Sequence, residues 1–191
     1  LHAGTTSRLA ALTLLSSTEL APGGCALAQL RVPTDQPLLL LPGDRFVLRG
    51  FGSSDGHSAT VGGGLVLRTY EPRRIPRRAA ARPAREQALA SLTDRGTALT
   101  QLAGTSDPAA QLALSAELTR IVVGDAGAQG ASLTELRRQL PVGLPRLQRA
   151  IERLLTAGQL MECPSRPSGL ADERGPKSAS DALYVTSAAL S

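Results

Sequence analysis

Tryptophan is absent, and aromatic residues make up only 2% of the 191 residues. Any buried core must therefore be built from Leu, Val and Ala, which the 42% hydrophobic content allows. Two cysteines, Cys25 and Cys163, are too few for a disulfide scaffold or a Cys-rich zinc site. Two histidines, His2 and His57, add no metal-ligand set. No apolar run approaches the roughly 20 residues that a membrane helix needs, which excludes a spanning helix. No basic-then-apolar leader is present either. The chain begins at Leu1 rather than Met, so it is expected to be a fragment of a longer product.

Lysine is nearly missing. Of 21 basic residues only Lys177 is not arginine, and with 16 acidic residues the formal net charge is +5. Arginine excess is what nucleotide bias in a GC-rich genome produces. It is also what a phosphate-facing surface prefers, because the guanidinium fork grips phosphate in bidentate fashion. Basic excess alone supports nucleic-acid binding without proving it.

The composition divides the chain in three. Residues 1–70 are strand-like and turn-rich, residues 71–83 form a tether, and residues 84–191 are helical with one late break. The first part has 5 basic and 4 acidic residues, the tether 5 arginines and 1 glutamate, and the last part 11 of each. Strands are expected over Arg8–Leu15, Cys25–Val32, Leu38–Leu41, Arg45–Arg49 and Thr60–Tyr70. Pro22-Gly23-Gly24 and Pro42-Gly43-Asp44 are turn signals, with Pro fixing φ and Gly free to take φ > 0. In Arg45–Arg49 the two-residue period sends Phe46 and Leu48 to one face and Arg45, Val47 and Arg49 to the other. Short strands at regular turn spacing predict a small barrel or sandwich. The tether carries Arg73, Arg74, Arg77 and Arg78 between prolines, which makes it extended and solvated. These four arginines are candidate phosphate contacts.

In the last part, Leu112, Leu114, Leu118, Ile121 and Val122 have helical spacing. Ser132-Leu133-Thr134-Glu135 is a capping box, in which Ser132 accepts from the Glu135 N–H and Glu135 reaches back. The helix it starts ends near Leu140, and Pro141-Val142-Gly143 is a tight break. A second helix starts near Leu144, with Pro145 in the first turn, and stops at Ala157-Gly158. Leu147, Ile151, Leu154 and Leu155 share one face of it. Arg146, Arg149 and Arg153 share another, and they are candidate phosphate contacts on the recognition helix of a helix-turn-helix. Strand-like Gln159–Glu162 and Ala182–Thr186 flank a polar insertion at 164–181. That order predicts an α+β winged helix with a long wing, occupying 84–191.

Gly62-Gly63-Gly64 lacks the Lys-Ser/Thr of a nucleotide loop and is followed by strand, so it reads as close backbone packing or a bulge. No Ser, His and Asp or Cys and His arrangement stands in a catalytic context, so no catalytic residue, metal or cofactor is expected in this chain.

Several stretches together resemble a known family. They are His2-Ala3-Gly4-Thr5, Glu19–Gly23, Ala26–Arg31, Leu41-Pro42-Gly43-Asp44-Arg45-Phe46-Val47-Leu48-Arg49 and Thr60-Val61-Gly62-Gly63-Gly64-Leu65-Val66-Leu67. They resemble the third, elongation-factor-Tu-like barrel domain of the bacterial selenocysteine-specific translation elongation factor. Elongation factor Tu itself ends soon after its barrel, whereas an Arg-rich tether and a winged helix follow here. The resemblance implies a multi-domain chain, an all-β barrel followed by the first winged helix. It implies a GTPase parent that delivers selenocysteyl-tRNA to the ribosome at recoded UGA codons. GTP and Mg would sit in an upstream domain, and an mRNA hairpin would be bound by further C-terminal winged helices. The expected location is cytoplasmic, away from membranes. In related factors the loop after the Arg-Phe strand meets the tRNA T-arm, which makes Arg49, Gly50 and Gly52 candidate tRNA contacts. Elongation factor Tu keeps an Arg before its Thr-Val-Gly, where this chain has Ala59. The rival readings are a DNA-binding winged-helix transcription regulator, with Gln148 as its only base-reading candidate, and a structural adaptor.

Overall fold

The computed structural model describes residues 1–33, 35, 38–50, 59–69, 82–163 and 182–187. It divides into two compact units, Leu1–Gly96 and Thr97–Ser191. The division falls within a helix, whereas the composition shift in the sequence lies at the 71–83 tether.

The first unit opens with a hairpin, β1 (His2–Ala3) and β2 (Thr6–Ser7), closed at Gly4. β3 (Ala11–Leu14) and β4 (Ala28–Arg31) pair antiparallel as a separate two-stranded sheet. β5 (Arg45–Arg49) and β6 (Thr60–Leu65) pair antiparallel, and β1 joins the far edge of β5. The four-stranded order is thus β2-β1-β5-β6. Barrel-like describes this unit better than barrel. Among the described residues the two sheets close no hydrogen-bonded ring. Leucine and phenylalanine side chains of both sheets, among them Leu14, Leu30, Phe46 and Leu48, line an apolar space of ≈ 500 Å³.

Leu38–Leu41 forms no strand. The polar groups of Leu41 are taken by a turn instead. Its N–H donates to Asp44 Oδ2 at 2.8 Å, and its carbonyl accepts from the Asp44 N–H at 3.0 Å. Pro42 and Gly43, the latter at φ +93°, occupy the two corners of that turn. β6 likewise ends at Leu65, short of the expected Tyr70, because Val66 exchanges backbone hydrogen bonds with Gly43 and Asp44.

α1 (Arg82–Gly104) takes in the last two residues assigned to the tether. Pro83 does not prevent this, since a first-turn proline gives up an N–H that has no helical partner anyway. Its first half belongs to the first unit. Arg85 Nη2 donates to the Leu15 carbonyl at 2.7 Å, Leu92 is buried, and a side chain at Gly96 would press on Leu67.

The second unit is built on α2 (Pro108–Ala126). Asp107 caps it, accepting from the N–H groups of Ala109 and Ala110 at 3.1 Å each. Its buried hydroxyls are satisfied along the helix. Ser115 donates to the Gln111 carbonyl and Thr119 to that of Ser115. After a short 3-10 turn, Gly127–Gln129, come β7 (Ala131–Ser132), α3 (Leu133–Gln139) and α4 (Leu144–Thr156). β8 (Leu160–Cys163) and β9 (Leu183–Thr186) complete an antiparallel sheet of order β7-β9-β8. The core joins Leu118, Val122 and Val123 of α2, Leu136 of α3, and Leu147, Ala150, Ile151 and Leu154 of α4. Leu160 and Val185 of the sheet close it.

The capping box is half formed. Ser132 Oγ accepts from the Glu135 N–H at 3.2 Å, but Glu135 Oε1 accepts from Gln139 rather than reaching back. Ser132 already belongs to β7, where it pairs with Leu183. α4 ends in a Schellman motif: Gly158 N–H donates to Leu155, Gln159 N–H to Leu154, and Gly158 sits at φ +66°.

Candidate nucleic-acid interface

β5 puts Phe46 and Leu48 toward the apolar space and leaves Arg45, Val47 and Arg49 exposed, as its alternation predicts. The ladder with β6 is regular until a bulge between Leu48 and Arg49, after which Arg49 faces Thr60. Such irregularities re-aim side chains at the end of a strand. One residue on, the Gly50 N–H donates to the Ala59 carbonyl at 2.9 Å. Arg49 stands exposed at the end of β5. It makes no hydrogen bond or ion pair with another described residue.

Gly50 has a packing reason of its own: a Cβ there would lie 2.9 Å from Val61 Cγ1. Glycine at 63 and 64 is likewise required from within. A Cβ on Gly63 would meet the Phe46 carbonyl oxygen at 2.8 Å, and one on Gly64 the Phe46 ring at 2.6 Å. The triplet is thus a strand against which β5 packs closely, in keeping with its lack of a Lys-Ser/Thr pair. Gly52 and the tether residues Arg73, Arg74, Arg77 and Arg78 lie outside the described residues.

On α4, Arg146, Arg149 and Arg153 are all exposed, on the side away from Leu147, Ile151 and Leu154. Leu155, expected on the apolar face, is only half-buried, and Ala150 takes its place in the core. Arg153 borders a notch that Glu117 of α2 also lines. That carboxylate is already engaged by Arg120, whose Nε lies 3.0 Å away and whose Nη2 bonds the other oxygen. These hydrogen bonds hold the Glu117 carboxyl below its ordinary range, against a smaller opposing effect of burial. Tyr184 lies opposite Glu162 in the sheet, and burial first, then that carboxylate, push its phenol up.

Three further exposed arginines are not singled out by the sequence pattern. Arg45 shares the outer face of β5 with Arg49, a signal already present in the alternation. Arg137 and Arg138 lie in the last turn of α3 and are exposed. Only the arginines of the second helix stand at regular spacing, so this adjacent pair reads simply as a helix C-terminus. Among the described residues no three His, Cys, Asp or Glu come together as a metal site, and both cysteines are free.

The comparison is specific: residues 1–73 match the family model described as "Selenocysteine-specific elongation factor, beta-barrel domain". Residues 1–73 are therefore similar to the β-barrel domain of selenocysteine-specific elongation factors. No curated protein and no solved structure matched the chain. Among the described residues no helix is long and apolar enough to cross a membrane.

Proposed function

We propose that the chain docks selenocysteyl-tRNA through its first unit, at the end of β5, within a cytoplasmic factor that brings this tRNA to the ribosome at recoded UGA codons. The observation that carries this is the match of residues 1–73 to the selenocysteine-factor domain. The exposed Arg49 at the end of β5, next to the Gly50–Ala59 hydrogen bond, supplies the chemistry. An exposed guanidinium that pairs with no other described residue suits a phosphate of the T-arm. A tRNA transcript without its T-arm is expected to lose most of its affinity in filter binding. Equal binding of the intact and trimmed transcripts would overturn the reading.

The second unit is a winged helix in this proposal. The element order α2-β7-α3-α4-β8-β9 and the sheet order β7-β9-β8 support it. It links the tRNA-docking domain to further winged helices that hold an mRNA hairpin.

This chain is a non-catalytic part, and GTP and Mg are handled by another domain of the factor. Its glycine triplet is a β-strand without the Lys-Ser/Thr of a phosphate loop. Calorimetric titration with GTP and magnesium is expected to show no binding. Micromolar affinity would contradict the assignment.

A further inference from the structure

We propose that α3 and α4 together form a second, sequence-blind phosphate-binding surface for helical RNA, made by Arg137, Arg138, Arg146, Arg149 and Arg153. All five are exposed, and none makes a hydrogen bond or ion pair with another described residue. The helices fix where these side chains point. At about 100° per residue, Arg146, Arg149 and Arg153 fall within an arc of roughly 60°. Leu147, Ala150, Ile151 and Leu154 anchor the other side of α4 in the core. Rotating the stripe away from solvent would expose that core. Buried Leu136 of α3 and Leu140 just after it bracket Arg137 and Arg138, which holds the pair outward ahead of the break at 140–143.

The charge is polarised within the unit. Residues 133–156 contain five arginines against two glutamates, Glu135 and Glu152. Residues 97–132 contain one arginine, Arg120, against Asp107, Glu117 and Asp125. Arg120 is engaged by Glu117, so the unpaired cations of these helices gather on α3 and α4.

The chemistry of this surface selects its partner. A protein interface needs an apolar or aromatic centre to supply its affinity. Among the described residues of the second unit, Met161 is the one large hydrophobic side chain that is well exposed, and it lies on β8. Guanidinium forks without an apolar anchor suit a polyanion instead. Gln148, the amide that could read a base edge from α4, lies more than about 100° around the helix from the stripe. The surface therefore meets backbone rather than sequence. The choice of RNA over DNA rests on the translation role proposed above, whereas the arginine surface itself does not.

The test uses the whole chain and fluorescence anisotropy with a fully paired RNA stem and a DNA duplex of equal length. The variants are R137Q/R138Q, R146Q/R149Q/R153Q and all five changes together. The fivefold variant is expected to weaken RNA-stem binding about tenfold or more at low salt. It should also flatten the slope of log K against log salt by up to about 4.5, near 0.9 for each of the phosphates no longer neutralised. Each partial variant should give part of that change. Far-UV circular dichroism should stay unchanged, since all five side chains are exposed. An unchanged affinity and slope would overturn the proposal, and so would binding confined to DNA. Arginine-dependent stem binding alongside loss of T-arm-dependent tRNA binding would remove the barrel reading and leave this one standing. T-arm-dependent tRNA binding with no arginine-dependent stem binding would do the reverse.

Discussion

Replacing Leu147 with alanine is expected to destabilise the second unit by about 2–5 kcal/mol, the range for deleting a fully buried leucine side chain. Leu147 is 0% exposed and sits at the centre of the face of α4 that buries Ala150, Ile151 and Leu154. Tyr184 of β9 is the one aromatic side chain buried in this unit. The core that Leu147 joins is filled by leucine, valine and alanine from α2 and α3, with Leu160 and Val185 from the sheet. Such side chains collapse only partly around a cavity. Since small domains are stable by about 5–15 kcal/mol, the loss is a large share of the total. Guanidinium titration followed by far-UV circular dichroism measures it. Leu155→Ala is the control, because that side chain is only half-buried and should cost clearly less. Equal costs at the two positions would mean that α4 does not bury the face described.

Gly63→Val is expected to force β5 and β6 apart. Its Cβ would start 2.8 Å from the Phe46 carbonyl oxygen, which is backbone and cannot swing aside. Overpacking typically costs about 1–3 kcal/mol. Here the strain falls on the ladder that leads to Arg49 and the Gly50–Ala59 hydrogen bond. The variant should therefore lose thermal stability and tRNA affinity together. Gly62→Val supplies the contrast. A Cβ there meets nothing within 4 Å, and valine favours strands over glycine, so this change should be neutral or stabilising. Differential scanning calorimetry of the two variants decides it. Equal melting temperatures would contradict the register of β5 on β6.

These contrasts mark what residue order reveals and what it does not. The alternation in Arg45–Arg49 and the spacing on α4 are local periodicities. A side chain's face follows from them as soon as the element is known, so Arg49 and the α4 stripe are legible. The Schellman stop at Gly158 is legible for the same reason, being written within a few consecutive residues. Leu38–Leu41 has the pattern of a buried strand because four consecutive apolar residues satisfy any apolar template. The competing turn depends on the Asp44 carboxylate three residues on, which outcompetes a ladder for the Leu41 N–H. β7 is two residues long and exists only because β9, about fifty residues later, pairs with it, and no local signal announces that. Gly50 reads locally as a place where a phosphate can approach, yet its closeness to Val61 is a long-range packing requirement that spacing does not reveal. Arg137 and Arg138 stand outside the regular spacing of Arg146, Arg149 and Arg153, so nothing in the residue order links them to the stripe on α4.

The most direct measurement of the central claim compares two variants of the whole chain for selenocysteyl-tRNA binding at one fixed salt concentration. Arg49→Ala removes a single guanidinium at the end of β5. The triple change of Arg146, Arg149 and Arg153 to Ala removes the stripe on α4. Loss of a hydrogen bond to a charged group is worth about 1.5–3 kcal/mol, so Arg49→Ala should weaken tRNA binding by at least tenfold. The triple change should weaken it less, because it removes only sequence-blind attraction that any RNA helix would share. If the triple change abolishes tRNA binding while Arg49→Ala leaves it intact, the second unit holds the tRNA and the barrel-docking account is wrong.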